Sequence, residues 1–529
     1  MNPITTETHW QRQLKVYSQR EPDLDQMFRA SVERSPQATA LVDGMLRVSY
    51  QELDERVLRL ACAFHAHGVS SGDRVVVLLA NRLEFVVTVL ACVRVGALVV
   101  PAGTRLRSPE IHHICSDAGA CAIVHEASLA PELPDRAELS NLKLRVSVAG
   151  DATGSIAFEK FMSKDQALDF AFEARAGEDD PFGILYTSGT TGRPKGAVLT
   201  HLGAIHSALH WKQLHGLKAQ EVSLLAIPAS HVAGLCGVVF PMLMVGACIV
   251  LMREFRARAF LEMAEREQIT HALLVPAMYA LCLLEPEMPR FDLARWRLGV
   301  YGSAPMPEST ITRVAELLPG LDLCNAYGAT ETTSPATIMP LGEGISHTDS
   351  IGRVVPCGDI RVMNEQGHEV APGETGELWI GGPMVVPGYW NNPQATASSF
   401  IDGYWKSGDI GAIDAEGFVR IFDRKKDMIN RGGFKVYPAE VENALCSAPG
   451  VVEAAVVGRP DPVLTERVVA FVRRSDPALD DAALKRFCKD NMADYKVPDR
   501  IVVQDEPLPR NANGKIQKDQ LRHLASEDV

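Results

Sequence analysis

The chain lacks most of the features that tie a protein to a membrane, an oxidising compartment or a nucleic acid. No stretch approaches the eighteen uninterrupted apolar residues of a membrane-spanning helix. The nearest, around 235–252, is broken by glycines and by Pro241, and it fits a core helix followed by a strand. The N-terminal MNPITTETHWQRQLKVYSQREPD has no apolar centre of the kind a secretory signal carries. The final SEDV matches neither a peroxisomal nor a reticulum-retention tail. Eleven cysteines are present but never as CxxC, which predicts reduced thiols and a cytoplasmic protein. Basic residues number 53 against 66 acidic ones, a formal charge of −13, so the electrostatic footprint of a nucleic-acid binder is missing. GxGxxG is absent too, which removes the usual dinucleotide fingerprint.

What is present is a globular composition, 46% hydrophobic and 22% charged, over 529 residues, enough for two or more domains. From about Ser49 to Tyr327 helical and strand patterns alternate. SYQELDERVLRLACAFHAHG reads as an amphipathic helix, DRVVVLLAN as a buried strand, RLEFVVTVLACVRVG as a helix and LVVPAG as a strand. Ser108 and Pro109 read as N-cap and first residue of the next helix. Strands this apolar on both faces belong to parallel sheets covered by helices. Between about 350 and 422 the texture changes to short strands and Gly-rich turns. Beyond Asp427 comes a compact α+β segment, and the charged FDRKKD (422–427) reads as a linker.

Three patterns imitate chemistry without carrying it. GVSSG, Gly68 to Gly72, satisfies the GxSxG of a serine-hydrolase elbow, but a helix precedes it and a strand follows, the reverse of what the elbow needs. Gly68 is better read as the residue that ends the helix. His206 and His210 stand four apart on a predicted helix with no third ligand at recognised spacing, and His112, His113 and Cys115 fail the same test.

GILYTSGTTGRPKGAVLTH, Gly183 to His201, poses the main question. Read as GxxxxGK[ST] from Gly189, it puts Lys195 on the lysine position. Pro194 then replaces a glycine, with no N–H to donate, and Gly196 replaces the metal-binding hydroxyl. The Walker reading fails. The run instead predicts a hydroxyl-rich hairpin loop between two strands, closing over phosphate oxygens with Lys195 as a point charge, or else an ordinary Gly/Thr/Pro turn.

Further motifs follow in order: GSAP (302–305), NAYGATETT (325–333), GYWKSGD (403–409), FDRKKDMINRGG (422–433) and PRNANGK (509–515). With YTSGTTGRPKG, this ordered set resembles the adenylate-forming superfamily, which includes acyl-CoA synthetases, firefly luciferase and nonribosomal peptide adenylation domains. The resemblance covers roughly residues 35 to 523. It implies an α/β fold: a large N-terminal domain of doubly wound sheets (1–425) with a small β-barrel-like unit (350–425), then a small mobile α+β C-terminal domain (426–529) hinged at Lys426.

The resemblance also implies roles. Thr187, Ser188, Gly189, Thr190, Thr191 and Lys195 would hold the β- and γ-phosphates of ATP, Thr330 the α-phosphate, and Glu331 with Thr187 would hold Mg²⁺. Tyr327, with Gly328 after it, would stack on adenine against Gly302, Ser303 and Ala304. Asp409 would accept the ribose hydroxyls, assisted by Arg424. Lys515 would bridge the substrate carboxylate and α-phosphate. Gly432 and Gly433, and Arg105 in some relatives, would meet coenzyme A. For the acid, His231 would gate the tunnel, and Val232, Tyr301, Ala329, Ser334, Pro335 and Ala336 would line the acyl pocket. Val232 stands where amino-acid-activating relatives carry the aspartate that pairs with the substrate ammonium. Taken one at a time, Asp409 could be a turn residue, Glu331 a helix-start charge, Tyr327 a core residue and Lys515 a solvated lysine.

The expected activity is an ATP-dependent carboxylic acid:CoA ligase acting on a fatty or aromatic acid through an acyl-adenylate. The alternatives are an acyl-AMP ligase that loads a carrier protein, a luciferase-like oxygenase and an inactive ATP- or acyl-binding protein. The expected partners are a small carboxylic acid, ATP and CoA, with no nucleic acid and no transmembrane segment, and a homodimer stays open.

Overall fold

The computed structural model describes residues 2–162, 176–187, 194–510 and 516–527. Two large sheets form the body. The first runs Lys195–Thr200, Pro181–Thr187, Leu98–Pro101, Arg74–Leu78, Ala122–Glu126, Leu144–Val148, Ile156–Ala157. The hydroxyl-rich loop therefore springs from an antiparallel hairpin at the edge of a parallel sheet, with Thr187 opposite Lys195. The second sheet runs from Arg353–Val354 through Thr337–Ile338, Asp322–Tyr327, Leu298–Gly302, His271–Leu274, Val222–Leu225, Cys248–Leu251 and Thr39–Asp43 to Leu46–Ser49. Its middle strands are parallel and buried on both faces, which is why they read as unbroken apolar runs.

The helices follow from local signals. Tyr50–Ala66 opens on a capping box in which Ser49 and Glu52 satisfy each other's backbone N–H groups, and it ends before Gly68, whose φ of 79° is left-handed. Ser108 begins the next helix rather than capping it. Arg107 is the N-cap, and its N–H is held by the Glu110 carboxylate at 3.0 Å. Helix His201–Leu214 is buried along nearly its whole length, with its histidines inside. His206 donates to Leu202 O at 2.9 Å and accepts from Tyr17 N–H at 3.1 Å, so it is a structural histidine and not a metal ligand. That contact docks a hairpin not foreseen from the sequence, Ile4–His9 with Arg12–Tyr17.

A five-stranded antiparallel unit follows: Asp359–Met363, Gly376–Gly381, Tyr404–Ile413, Phe400–Ile401 and Val419–Arg424. FDRKKD is only in part a linker. Phe422 to Arg424 complete the last strand, and residues 425–427 form the turn that leaves it. The C-terminal residues build their own sheet, Phe434–Val436, Ile429–Arg431, Thr465–Arg474 and Val451–Asp461 with Arg500–Gln504, around a core that includes Ile429, Val441, Leu445, Val456 and Leu484. No helix among the described residues is long and apolar enough to cross a membrane.

Candidate functional site

Strands Leu298–Gly302 and Asp322–Tyr327 lie side by side with Gly302 opposite Ala326, and both end at one edge of the sheet. Ligands of open α/β sheets bind outside such carboxyl ends. A Cβ at Gly302 would stand 2.3 Å from Ala326 O, so only glycine permits this approach. Ser303 follows in a left-handed conformation, φ 68°, and Ser303 and Ala304 are exposed.

Tyr327 closes the second strand, and its hydroxyl donates to Asp409 Oδ2 at 2.6 Å. Asp409 sits in Tyr404–Ile413 directly opposite Arg424, whose Nε lies 3.0 Å from Asp409 Oδ1. Both oxygens of this buried carboxylate are thus engaged by the protein. Burial and, after it, the Asp409 charge hold the Tyr327 phenol protonated far above its ordinary range. The Asp409 charge in turn raises Arg424. The hydroxyl anchor fixes the Tyr327 ring beside the ribose position expected for Asp409.

Glu331 occupies the turn Thr330–Thr332, against which strand Lys195–Thr200 packs. Its Oε1 accepts from the Tyr389 hydroxyl at 2.8 Å, and Lys195 Nζ lies 5.2 Å from the centroid of the same ring. Tyr389 therefore couples Lys195 to the buried acid, a link its position in a Pro-Gly turn did not disclose. Burial raises the Glu331 pKa, opposed by the Tyr389 hydrogen bond and, at longer range, by Arg424 and Lys195. Among the described residues no lysine or arginine lies within ion-pair distance of its carboxylate. A buried, uncompensated carboxylate with the Thr187 hydroxyl on the neighbouring hairpin is an all-oxygen donor set suited to Mg²⁺. The hairpin base is itself clamped: His113 Nε2 lies 3.0 Å from Pro194 O, and Tyr186 donates to Asp117 at 2.6 Å.

Beside these groups lies a narrow cavity of about 30 Å³. Of the residues expected there, Val232, Tyr301 and Ser334 line it, as does Gly302. Trp211 and Leu273 line it without having been singled out. Ala329, Pro335 and Ala336 are not on its wall. Ala336 is tied into the backbone ladder by its N–H to Tyr327 O at 2.8 Å and its carbonyl to Val355 N at 3.1 Å. His231 precedes Val232 as N-cap of the short helix Val232–Gly234; it is half-buried and is not itself on the cavity wall.

Arg105 lies on the exposed loop after Leu98–Pro101. Gly432 and Gly433 form the exposed turn between Ile429–Arg431 and Phe434–Val436, with left-handed φ of 61° and 93°. Lys426 stands in the turn between the two sheets, where Lys425 N–H reaches Gly408 O at 2.8 Å. Beside it Asp423 accepts from Ala439 N–H at 2.8 Å, and burial pushes its carboxyl up to about 6. Ser188, Gly189, Thr190, Thr191 and Lys515 lie outside the described residues.

Comparison with known proteins places these features in a family. The model of the AMP-binding enzyme domain matches residues 28–390, and that of the AMP-binding enzyme C-terminal domain matches 440–515. The chain is 36% identical to a feruloyl-CoA synthase of an Amycolatopsis species over 489 residues, 92% of this chain and 96% of that protein. It is likewise 36% identical to an indoleacetate–CoA ligase of Aromatoleum aromaticum over 495 residues, 93% and 96% of the two chains. The crystal structure of the anthranilate CoA ligase AuaEII in complex with anthranoyl-AMP superposes with a TM-score of 0.89 at 26% identity, covering 95% of this chain and 97% of that one.

Proposed function

We infer the reaction from one premise: the chain belongs to the AMP-binding enzyme family of adenylate-forming ligases, and it is an AMP-forming acid–CoA ligase. The proposed substrate is an aromatic or fatty carboxylic acid. A carboxylate oxygen attacks the α-phosphorus of ATP, the bond to the β-phosphate breaks, and pyrophosphate leaves with the electron pair. In the second step the CoA sulfur attacks the acyl carbon, AMP departs with the bonding electrons, and the thiol proton passes to solvent.

Each anionic partner needs positive charge or fixed donors at a set place. Lys195 and Thr187 act on the β- and γ-phosphates, with Ser188, Gly189, Thr190 and Thr191 between them. Thr330 donates to the α-phosphate. Glu331 and Thr187 would hold Mg²⁺, which would supply positive charge against the phosphates. Asp409 takes the ribose hydroxyls, and Arg424 and Tyr327 orient it. Lys515 bridges carboxylate and α-phosphate in the first step. The domain boundary falls at 425/426, and rotation about Lys426 exchanges Lys515 for Gly432 and Gly433 in the second. Arg105 meets the CoA nucleotide, and His231 flanks the thiol path.

The observation that carries this reading is the Asp409–Arg424–Tyr327 cluster beside Glu331, at the carboxyl ends of two adjacent parallel strands. Val232 and the absence of any carboxylate among the described residues of the cavity wall favour simple acids over amino acids, because a buried ammonium would go unpaired. The test is acid-dependent ATP–pyrophosphate exchange across fatty, aryl and amino acids, followed by detection of the CoA ester. Fatty or aryl acids should drive both. A proteinogenic amino acid that outperforms them would sink the pocket argument, and exchange with no CoA ester would favour a carrier protein as acceptor.

A further inference from the structure

Trp211 forms part of the cavity wall, and behind it, away from the wall itself, stand further buried polar groups without a partner among the described residues. Helix His201–Leu214 presents Ser207, Trp211 and, just past its end, His215 at successive intervals of four residues, on one face. Ser207 Oγ donates to Ser334 O at the nucleotide side of the cavity. Trp211 lines the cavity wall, one helical turn deeper. His215 lies beyond it, its ring centroid 5.2 Å from that of the indole. A second element points the same way. Leu273 lines the cavity, and His271, two residues back on the same face of His271–Leu274, lies deeper still.

Buried polar groups are paired as a rule, and each exception calls for a cause. Here they cluster. Trp211 Nε1, both ring nitrogens of His215 and His271 Nε2 are buried without a hydrogen-bond partner among the described residues. The other nitrogen of His271 is occupied by Ser223 Oγ at 2.8 Å. Trp211 is 1% exposed, and His215 and His271 are 0% exposed. Burial pushes both imidazoles down to about 3, so at neutral pH each is uncharged, with one donor and one acceptor nitrogen.

A carboxylate or ammonium tail finds no counter-charge in this set. A hydroxyl matches it, because it can accept from the donor-only indole and donate to an imidazole nitrogen. The geometry points to a polar subsite at the inner end of the acyl cavity, formed by the Trp211 indole N–H and the His215 imidazole, that receives a hydroxyl at the distal end of the acid. This deepens the acid–CoA ligase reading and rests on it: it narrows the substrate to acids with a hydroxylated far end.

The probes are matched pairs, para-hydroxyphenylpropanoate against phenylpropanoate and omega-hydroxyoctanoate against octanoate, in steady-state formation of the CoA ester by the full-length enzyme. The wild type should favour the hydroxylated member of at least one pair by about tenfold or more in kcat/KM. Trp211→Phe keeps an aromatic ring and removes the N–H, and His215→Leu removes both nitrogens at similar volume. In each the hydroxy-to-deoxy ratio should fall about tenfold, whatever happens to the absolute rate. The ratio is internal to each variant, so loss of packing alone does not move it, and the wild-type pairs decide the matter if a variant fails to fold. A wild-type preference for the deoxy acids, or a ratio unchanged in Trp211→Phe, overturns the subsite and leaves those groups to a buried water. If no acid of any kind supports exchange, it is the ligase reading that fails.

Discussion

Glu331→Gln should stabilise the ligand-free protein while removing its activity. The wild-type carboxylate is buried, holds one hydrogen bond from Tyr389 and has no ion-pair partner among the described residues. Glutamine has nearly the same shape, and its carbonyl can still accept from Tyr389, so the change mainly removes the cost of keeping a charge out of water. That cost, net of the charge-assisted part of the hydrogen bond, is about 1–2 kcal/mol. The sign with pH follows from the direction of the shift. Burial raises the folded pKa above the ordinary 4.5, so the folded state favours the protonated form. Below 4.5 the acid is protonated whether folded or unfolded, and wild type and variant should be nearly equal. As pH rises through the raised value the wild type loses stability relative to the variant, and above it the gap is constant. Urea titrations without ligand, from about pH 4 to about pH 8, read the gap directly. Adding Mg²⁺ and ATP should reverse the order, because the carboxylate then gains the cation it lacks. Pyrophosphate exchange by the variant should fall by about a hundredfold or more. A variant less stable than wild type at neutral pH, or a gap that ignores pH, would show that Glu331 is an ordinary structural acid.

Tyr327→Phe deprives Asp409 Oδ2 of its 2.6 Å donor, and it should cost about 1–2 kcal/mol in urea titrations and raise the KM for ATP; unchanged values in both would separate this pair from the nucleotide site. Lys515→Ala should lower adenylation by orders of magnitude yet still convert supplied acyl-AMP and CoA to thioester, an expectation that near-normal exchange would remove. Lys426→Pro costs no backbone hydrogen bond among the described residues, while fixing φ at the turn. Single-turnover adenylate formation should survive and thioester formation collapse; survival of both moves the pivot elsewhere.

The regular elements were legible because burial writes itself into their sequences. Helix Tyr50–Ala66 carries the periodic pattern of the one face it buries, while Arg74–Leu78 and the other central strands, buried on both faces, read as short apolar runs. The N-terminal hairpin was not, since ITTETH is mostly exposed and its stability comes from contacts such as Tyr17 with His206, 189 residues away. FDRKKD looked solvated because charge usually means solvent, but Arg424 and Asp423 are committed to Asp409 and Ala439. Site residues set in a dense motif, Asp409, Glu331 and Tyr327, could be picked out by that setting. Tyr389 and Trp211 could not, because their meaning lies in partners far along the chain: Glu331, 58 residues from Tyr389, and the cavity under Tyr301.

The two buried carboxylates of the site differ in one respect that bears on what each can bind. Asp409 is compensated: a guanidinium and a phenol occupy its two oxygens at 3.0 and 2.6 Å. A compensated carboxylate can exchange a neutral donor for another neutral donor at little electrostatic cost, so it suits hydroxyl groups, and releasing the Tyr327 hydroxyl frees one oxygen while Arg424 keeps the charge paired. Glu331 has no ion-pair partner among the described residues, and burial raises its pKa against the opposing Tyr389 hydrogen bond. It gains most from a ligand that brings positive charge, and it faces the hairpin from which Lys195 and Thr187 project. The proposed placement, ribose at the first and metal-bound phosphate at the second, would bring a cation to Glu331 while leaving Asp409 paired with Arg424. The reverse would strand Glu331 without a cation and set phosphates against the Asp409 carboxylate. Charge balance therefore supports the proposed orientation of the nucleotide, with its sugar toward the strand Tyr404–Ile413 and its phosphates toward the hairpin.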